Sequence, residues 1–266
     1  MPIRPEPVAV NRNTIIILGV NAVFVFGALA IAFFGTGGFG GADPMPAPGD
    51  MPTGGFVLAL SWEPAFCETQ PRLPECREQT PDSPDASRFS LHGLWPEGSY
   101  CGVDADLRAA DERHDWQALP EVELSEQARA ALDRAMPGTR SLLDRHEWIK
   151  HGTCANVDME TYYAASVALT DAVNASSLPT LFVANLGRSL SAVAVAKALD
   201  ADFGAGTGAR MSLECITDGS RRLVSGLRIG LSGAIGNEPD LGALAAGAAP
   251  RGADCKSGVI DPAGPQ

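Results

Sequence analysis

Nine residues, His146-Glu147-Trp148-Ile149-Lys150-His151-Gly152-Thr153-Cys154, constrain this chain more than any other stretch. On a helix turning about 100° per residue, His146, Glu147, Lys150 and His151 fall at roughly 0°, 100°, 40° and 140°. The ionisable groups therefore share one face. Trp148 and Ile149, at roughly 200° and 300°, point the other way. The segment predicts a helix over 141–151 with a core behind it and a polar cleft before it, ended by Gly152.

A zinc site of the His-Glu-x-x-His kind needs its histidines at i and i+4. Here they are five apart and Lys150 holds the i+4 position, where an ammonium would repel a metal. No metal or cofactor is therefore expected. An ordinary surface helix with an i,i+4 pair between Glu147 and His151 is the plainer alternative.

A second stretch, Ser90-Leu91-His92-Gly93-Leu94-Trp95-Pro96, lies upstream and places a third histidine between apolar residues. Together the two motifs resemble the ribonuclease T2 family: 92–96 matches its first active-site segment and 146–154 its second. A looser resemblance runs from about Phe56 to about Cys255. It implies metal-independent cleavage of single-stranded RNA through a 2′,3′-cyclic phosphate. His151 is then the base and His92 the acid, Glu147 and Lys150 stabilise the transition state, and His146 binds phosphate. Trp95 is a candidate base-stacking surface, Glu97 and Tyr100 weaker ones. His114, in a charged loop, is read as solvated.

Thr14–Phe34 is an uncharged stretch of 21 residues, the length of a bilayer span. Arg4 and Arg12 precede it and the next basic residue is Arg72, so the positive-inside rule exports the remainder of the chain. A cleavable signal usually has a shorter apolar region before a small-x-small site. Ala28-Leu29-Ala30 and Ala30-Ile31-Ala32 fit such a site, yet the apolar run continues through both. The expectation is an uncleaved anchor: cytoplasmic residues 1–13, span 14–34, Gly/Pro-rich linker 35–55, catalytic domain 56–258 outside the cytoplasm, and a frayed tail 259–266.

Within the domain, 56–62 and 88–95 read as strands and 125–136 as a helix capped by Ser125. Helices are also expected over 162–173 and 190–199, and a hairpin over 211–231 turning at Asp218-Gly219. The fold class is α+β; that its sheet is antiparallel with helices packed on it is what the resemblance implies. Cysteines 67, 76, 101, 154, 215 and 255 form an even set behind an export segment, as disulfides do. Six allow 15 connectivities. The resemblance selects Cys101 with Cys154, leaving Cys67 with Cys76 and Cys215 with Cys255 as local loops.

The formal net charge of −12, without a Lys/Arg cluster, speaks against a tight or processive nucleic-acid binder. A nuclease holding one phosphate at a time needs only local positive groups, which Lys150 and protonated histidines supply. The chain is read as a monomer, with RNA as substrate and the membrane as its other partner. A catalytically silent, membrane-tethered interaction protein of the same fold is the alternative.

Overall fold

The computed structural model describes residues 51–252 and 254–264. The expected cytoplasmic segment, span and most of the linker lie outside them. Among the described residues, no helix is long and apolar enough to cross a membrane.

The elements are β1 (Met51–Ser61), α1 (Glu63–Thr69), α2 (Pro74–Glu78), β2 (Ser90–Pro96), α3 (Ala105–Glu112), α4 (Glu126–Ala135), α5 (Leu143–Lys150), α6 (Met159–Asn174), α7 (Leu178–Val183), β3 (Ser189–Ser191), α8 (Ala192–Phe203), β4 (Met211–Asp218), β5 (Arg221–Ile235), α9 (Leu241–Ala246) and β6 (Ser257–Val259). The sheet runs β2-β1-β5-β6-β3, with β4 also paired to β5. Pairing is antiparallel except between β5 and β6, which meet in parallel at Leu223 and Val259. The α+β architecture holds.

Two expected boundaries move. β1 starts at Met51, inside the Gly/Pro-rich stretch, and its first residue is fully buried opposite Ile235. Composition marks those residues as linker, but β5 is long enough to offer them a partner. At the other end, Ile260 and Asp261 are buried, and the Trp62 indole donates to the Asp261 carbonyl at 2.8 Å. Residues 259–261 are thus packed, not frayed.

The hairpin forms, but Asp218 already pairs with Arg221, so Gly219-Ser220 is its two-residue loop. Gly219, at φ +55°, supplies the positive φ of the first loop position. The expected 141–151 helix is shorter: a 3-10 turn occupies Pro137–Ser141, and Leu142 adopts φ +67° before α5 begins. The 190–199 helix starts two residues later, because Ser191 closes β3 and caps α8 through the Ala194 amide.

Trp62, Phe89 and Phe182 meet within 5.7 Å in the main core. α6 packs across the back of the site-bearing elements: the Tyr162 hydroxyl donates to the Leu94 carbonyl at 2.7 Å, and the Tyr163 hydroxyl to the Asp144 carbonyl. Behind α5, Ile149 joins a smaller cluster with Ala110 and Leu119, edged by Leu107, Trp116 and Trp148. That cluster fastens α3 to α5. Disulfides join Cys67 to Cys76, Cys101 to Cys154 and Cys215 to Cys255.

Candidate active site

β2 and α5 meet at Gly93. A methyl group there would lie 1.9 Å from Glu147 Oε2 and 2.7 Å from the Trp95 indole nitrogen. The missing side chain lets the α5 carboxyl rest on the strand, where Trp95 Nε1 donates to Glu147 Oε2 at 2.8 Å. Gly152 works similarly rather than as a left-handed helix stop. Its backbone passes so close to the Trp148 ring that a methyl would come within 2.3 Å. The turn it allows brings Cys154 to Cys101, and the Tyr100 amide donates to the Lys150 carbonyl at 2.8 Å. The loop after β2 is thus stapled twice to the end of α5.

Glu147 sits at the centre, 0% exposed. The helical wheel places it on the polar face correctly, but that face is covered by β2. His92 Nε2 is 3.4 Å from Glu147 Oε1 and His146 Nε2 is 3.9 Å from the same oxygen. The His151 ring stacks on Trp95, with centroids 5.2 Å apart and planes 27° apart. His92 meets the same indole edge-on at 5.5 Å. Trp95 is therefore engaged by protein groups within the cluster, while the residue stays partly exposed.

Two contributors, Asp111 and Trp116, are missed by sequence reasoning. Asp111, on α3, accepts from or shares a proton with His146 Nδ1 at 2.7 Å. Its other oxygen accepts from the Tyr100 hydroxyl at 2.8 Å. Trp116 stacks on the His146 ring at 4.9 Å. The expected charged loop around 111 is in fact the end of a helix. Leu107 and Ala110 facing Ile149, with the Arg108–Glu112 i,i+4 pair outside, are the signals that mark it. Tyr100 serves Asp111 and is pushed up to about 12 by burial and that hydrogen bond. His114 is exposed, as expected, while Glu97 is exposed on the loop beyond Trp95.

Removal from water sets the electrostatics of the cluster. Burial pushes Glu147 up to about 8, against the opposing pull of Trp95 and Lys150. Burial, with Lys150, His146 and His92 nearby, pushes His151 down to about 3. His92 is lowered to about 4 by loss of hydration and by His146, Arg228 and Lys150. Its side chain keeps 44% exposure, so solvent offsets part of that lowering. His146 is lowered by burial, with Asp111 opposing. A neutral carboxyl among neutral imidazoles, beside one ammonium, can accept and return protons once an anion arrives to restore charge. One grouping of metal-ligand side chains is compact enough for an ion among the described residues, Glu63 with Cys67 and Cys76; both sulfurs are committed to their disulfide.

The model of the Ribonuclease T2 family matches residues 53–234. Ribonuclease I of Escherichia coli (strain K12) is 33% identical over 164 residues, covering 51% of this chain and 60% of that protein. Ribonuclease 3 of Arabidopsis thaliana is 30% identical over 131 residues, covering 45% of this chain and 52% of that protein. The chain thus spans about half the length of the curated relatives it matches. Among solved structures, the self-incompatibility SF11-RNase of Nicotiana alata superposes with TM-score 0.51 at 14% identity, covering 77% of this chain and 94% of that one. RNase NT in complex with 5′-AMP gives 0.50 at 19% identity, covering 79% and 98%. At those identities the likeness is one of fold. With β2 and α5 crossing at Gly93 to gather His92, Glu147 and His151, and with the family's model matching the greater part of the sequence, the chain belongs to the ribonuclease T2 family.

Proposed function

We propose that this domain cleaves single-stranded RNA without a metal. The observation that carries the reading is the convergence on buried Glu147 of His92, His146 and Trp95, with His151 stacked on the same indole. In the first step His151 takes the proton of a ribose 2′-hydroxyl. O2′ attacks the adjacent phosphorus, the P–O5′ bond breaks, and His92 gives its proton to O5′. The products are a 2′,3′-cyclic phosphate and a free 5′-hydroxyl. In the second step the roles exchange: His92 takes a proton from water, the water oxygen attacks phosphorus, and His151 protonates the departing O2′.

Lys150 offers a fixed ammonium to the phosphoryl oxygens. His146, held through Nδ1 by Asp111, keeps Nε2 on the cluster side, suited to a phosphate. Glu147, pushed up to about 8, can donate a hydrogen bond to a phosphoryl oxygen or steady His92. The anionic phosphate raises the lowered histidines on binding, so the acid becomes charged when it is needed.

The three disulfides suit an oxidising compartment outside the cytoplasm. Thr14–Phe34 would tether the domain there, and carbonate-washed membranes holding intact chain would support that placement.

The test is RNA and DNA of matched sequence, incubated with the full chain in excess EDTA. RNA cut to 2′,3′-cyclic ends with DNA intact is the expected result. Loss of RNA cleavage on chelation, or equal cleavage of DNA, overturns the reading.

A further inference from the structure

Arg228 lies in the middle of β5, between Leu227 and Ile229, both fully buried in the main core. Strand alternation turns Arg228 to the opposite face. There Arg228 is opposite Ala59, and Ala59 is opposite Gly93, so the three residues form one row across β5, β1 and β2. A methyl and a hydrogen are the only side chains on the way from Arg228 to the site. A long side chain can lie across that track where any larger pair of residues would stop it.

The guanidinium carbon lies 5.0 Å from the Trp95 ring centroid, within cation–π range. Arg228 Nε is 2.7 Å from Glu214 Oε1 on neighbouring β4, although its N–H is not aimed as a hydrogen bond. The side chain is 35% exposed, so solvent screens the charge only in part.

We propose that Arg228 is a positioning residue of this active site: it braces the Trp95 indole and sets a permanent positive charge beside His92. This rests on the reading of His92 as the acid of the first step. The groups whose charges act on His92 are His146, Lys150 and His151 from the α5 region and Arg228 from β5, with Glu147 3.4 Å away and Glu214 paired to Arg228. Of these, Lys150 and Arg228 are the two that carry a permanent charge of the same sign as the imidazolium. Arg228 therefore makes protonated His92 a stronger acid toward the leaving 5′-oxygen. Held on Trp95, the indole in turn keeps its N–H on Glu147 and its face on His151.

Histidine ring signals of the full chain, titrated by NMR with and without His92→Gln for assignment, read the charge directly. Arg228→Gln is expected to raise the His92 midpoint by about half a pH unit or more, the size of one nearby partly screened charge. The alkaline limb of the pH–rate profile should move up with it. Arg228→Lys should return the midpoint toward wild type while kcat stays several-fold low, because an ammonium lacks the flat guanidinium that lies on the indole. In the wild type, the Arg228 Hδ signals should show the upfield ring-current shift of a group lying over Trp95, a measurement needing no variant. An unmoved His92 midpoint in Arg228→Gln, or unshifted Arg228 protons in the wild type, overturns the proposal. The titration needs no turnover, so a chain that titrates as expected yet leaves RNA whole upholds the role of Arg228 and overturns the proposed reaction instead.

Discussion

Glu147 and Glu63 are both buried carboxyls pushed up to about 8, yet they are set in opposite company. Around Glu147 stand His92, His146, Lys150 and the Trp95 N–H, groups that stabilise or receive a proton. Around Glu63 stand Asp85 and Glu75, which raise it further, with only the Ser90 hydroxyl opposing. Burial makes both neutral; neighbours decide whether the proton can move. Beside Glu147 the cluster opens to solvent through the half-exposed His92. Beside Glu63 the Cys67–Cys76 disulfide closes the region, and the buried Glu75 accepts from the Ser141 hydroxyl at 2.7 Å. A large shift marks a site only when proton partners and access come with it.

The largest expected contrast is in rate. His92→Ala and His151→Ala should each lower RNA cleavage by about 10²–10⁴-fold, the usual weight of a general acid or base. His146→Ala should cost less, since a phosphate contact is partly replaceable. Glu63→Gln, isosteric and already neutral in effect, should leave kcat/KM within about twofold. Steady-state rates across pH check all four. A Glu63→Gln loss as large as that of His92→Ala would break the comparison.

Next comes stability. Opening Cys101–Cys154, whose ends are 53 residues apart, should cost about 4 kcal/mol on the chain-entropy estimate, and Cys67–Cys76, with a separation of 9, about 2.5 kcal/mol. Denaturant unfolding of the paired Cys→Ser variants measures both. The first should also lower activity, because its bridge holds the β2 loop against the end of α5. The second should not.

The smallest effect is on pH dependence, and linkage gives its sign. Folded Glu63 and Glu147 keep their protons up to about 8, whereas unfolded they release them near 4.5. Their contribution to stability is complete below 4.5 and is lost as pH rises through 8. His92 and His151, lowered to about 4 and about 3 from 6.5, act in reverse: their contribution is present above 6.5 and lost as pH falls through their folded values. Between 4.5 and 6.5 the two pairs offset one another. Above 6.5 the carboxyls act alone, so Tm should fall from pH 6.5 to 8. Glu63→Gln should flatten part of that fall and Glu63→Gln with Glu147→Gln more of it. Calorimetry at both pH values decides; an unchanged slope in Glu63→Gln removes Glu63 from the account.

Candidate functional residues that sit in tight local patterns can be read from the amino-acid sequence. The 92–96 and 146–154 segments are legible because each crowds its functional groups into a few consecutive residues that match the family's motifs, on β2 and on α5 with the turn after it. The Ser125 cap, the 211–231 hairpin and the mixed fold class are local in the same sense. How those faces are covered depends on the folded chain. The wheel puts Glu147 on a polar face, but only the crossing at Gly93 makes it fully buried and therefore neutral. Asp111, Trp116 and Arg228 come from α3, the turn after it and β5, all outside the two histidine motifs and on elements with no motif of their own. Their signal is a register, Gly93–Ala59–Arg228, or a packing partner, Ile149 against Ala110. Such relations exist between segments distant in sequence, so local periodicity cannot carry them; they arise when the sheet pairs and the helices close on it.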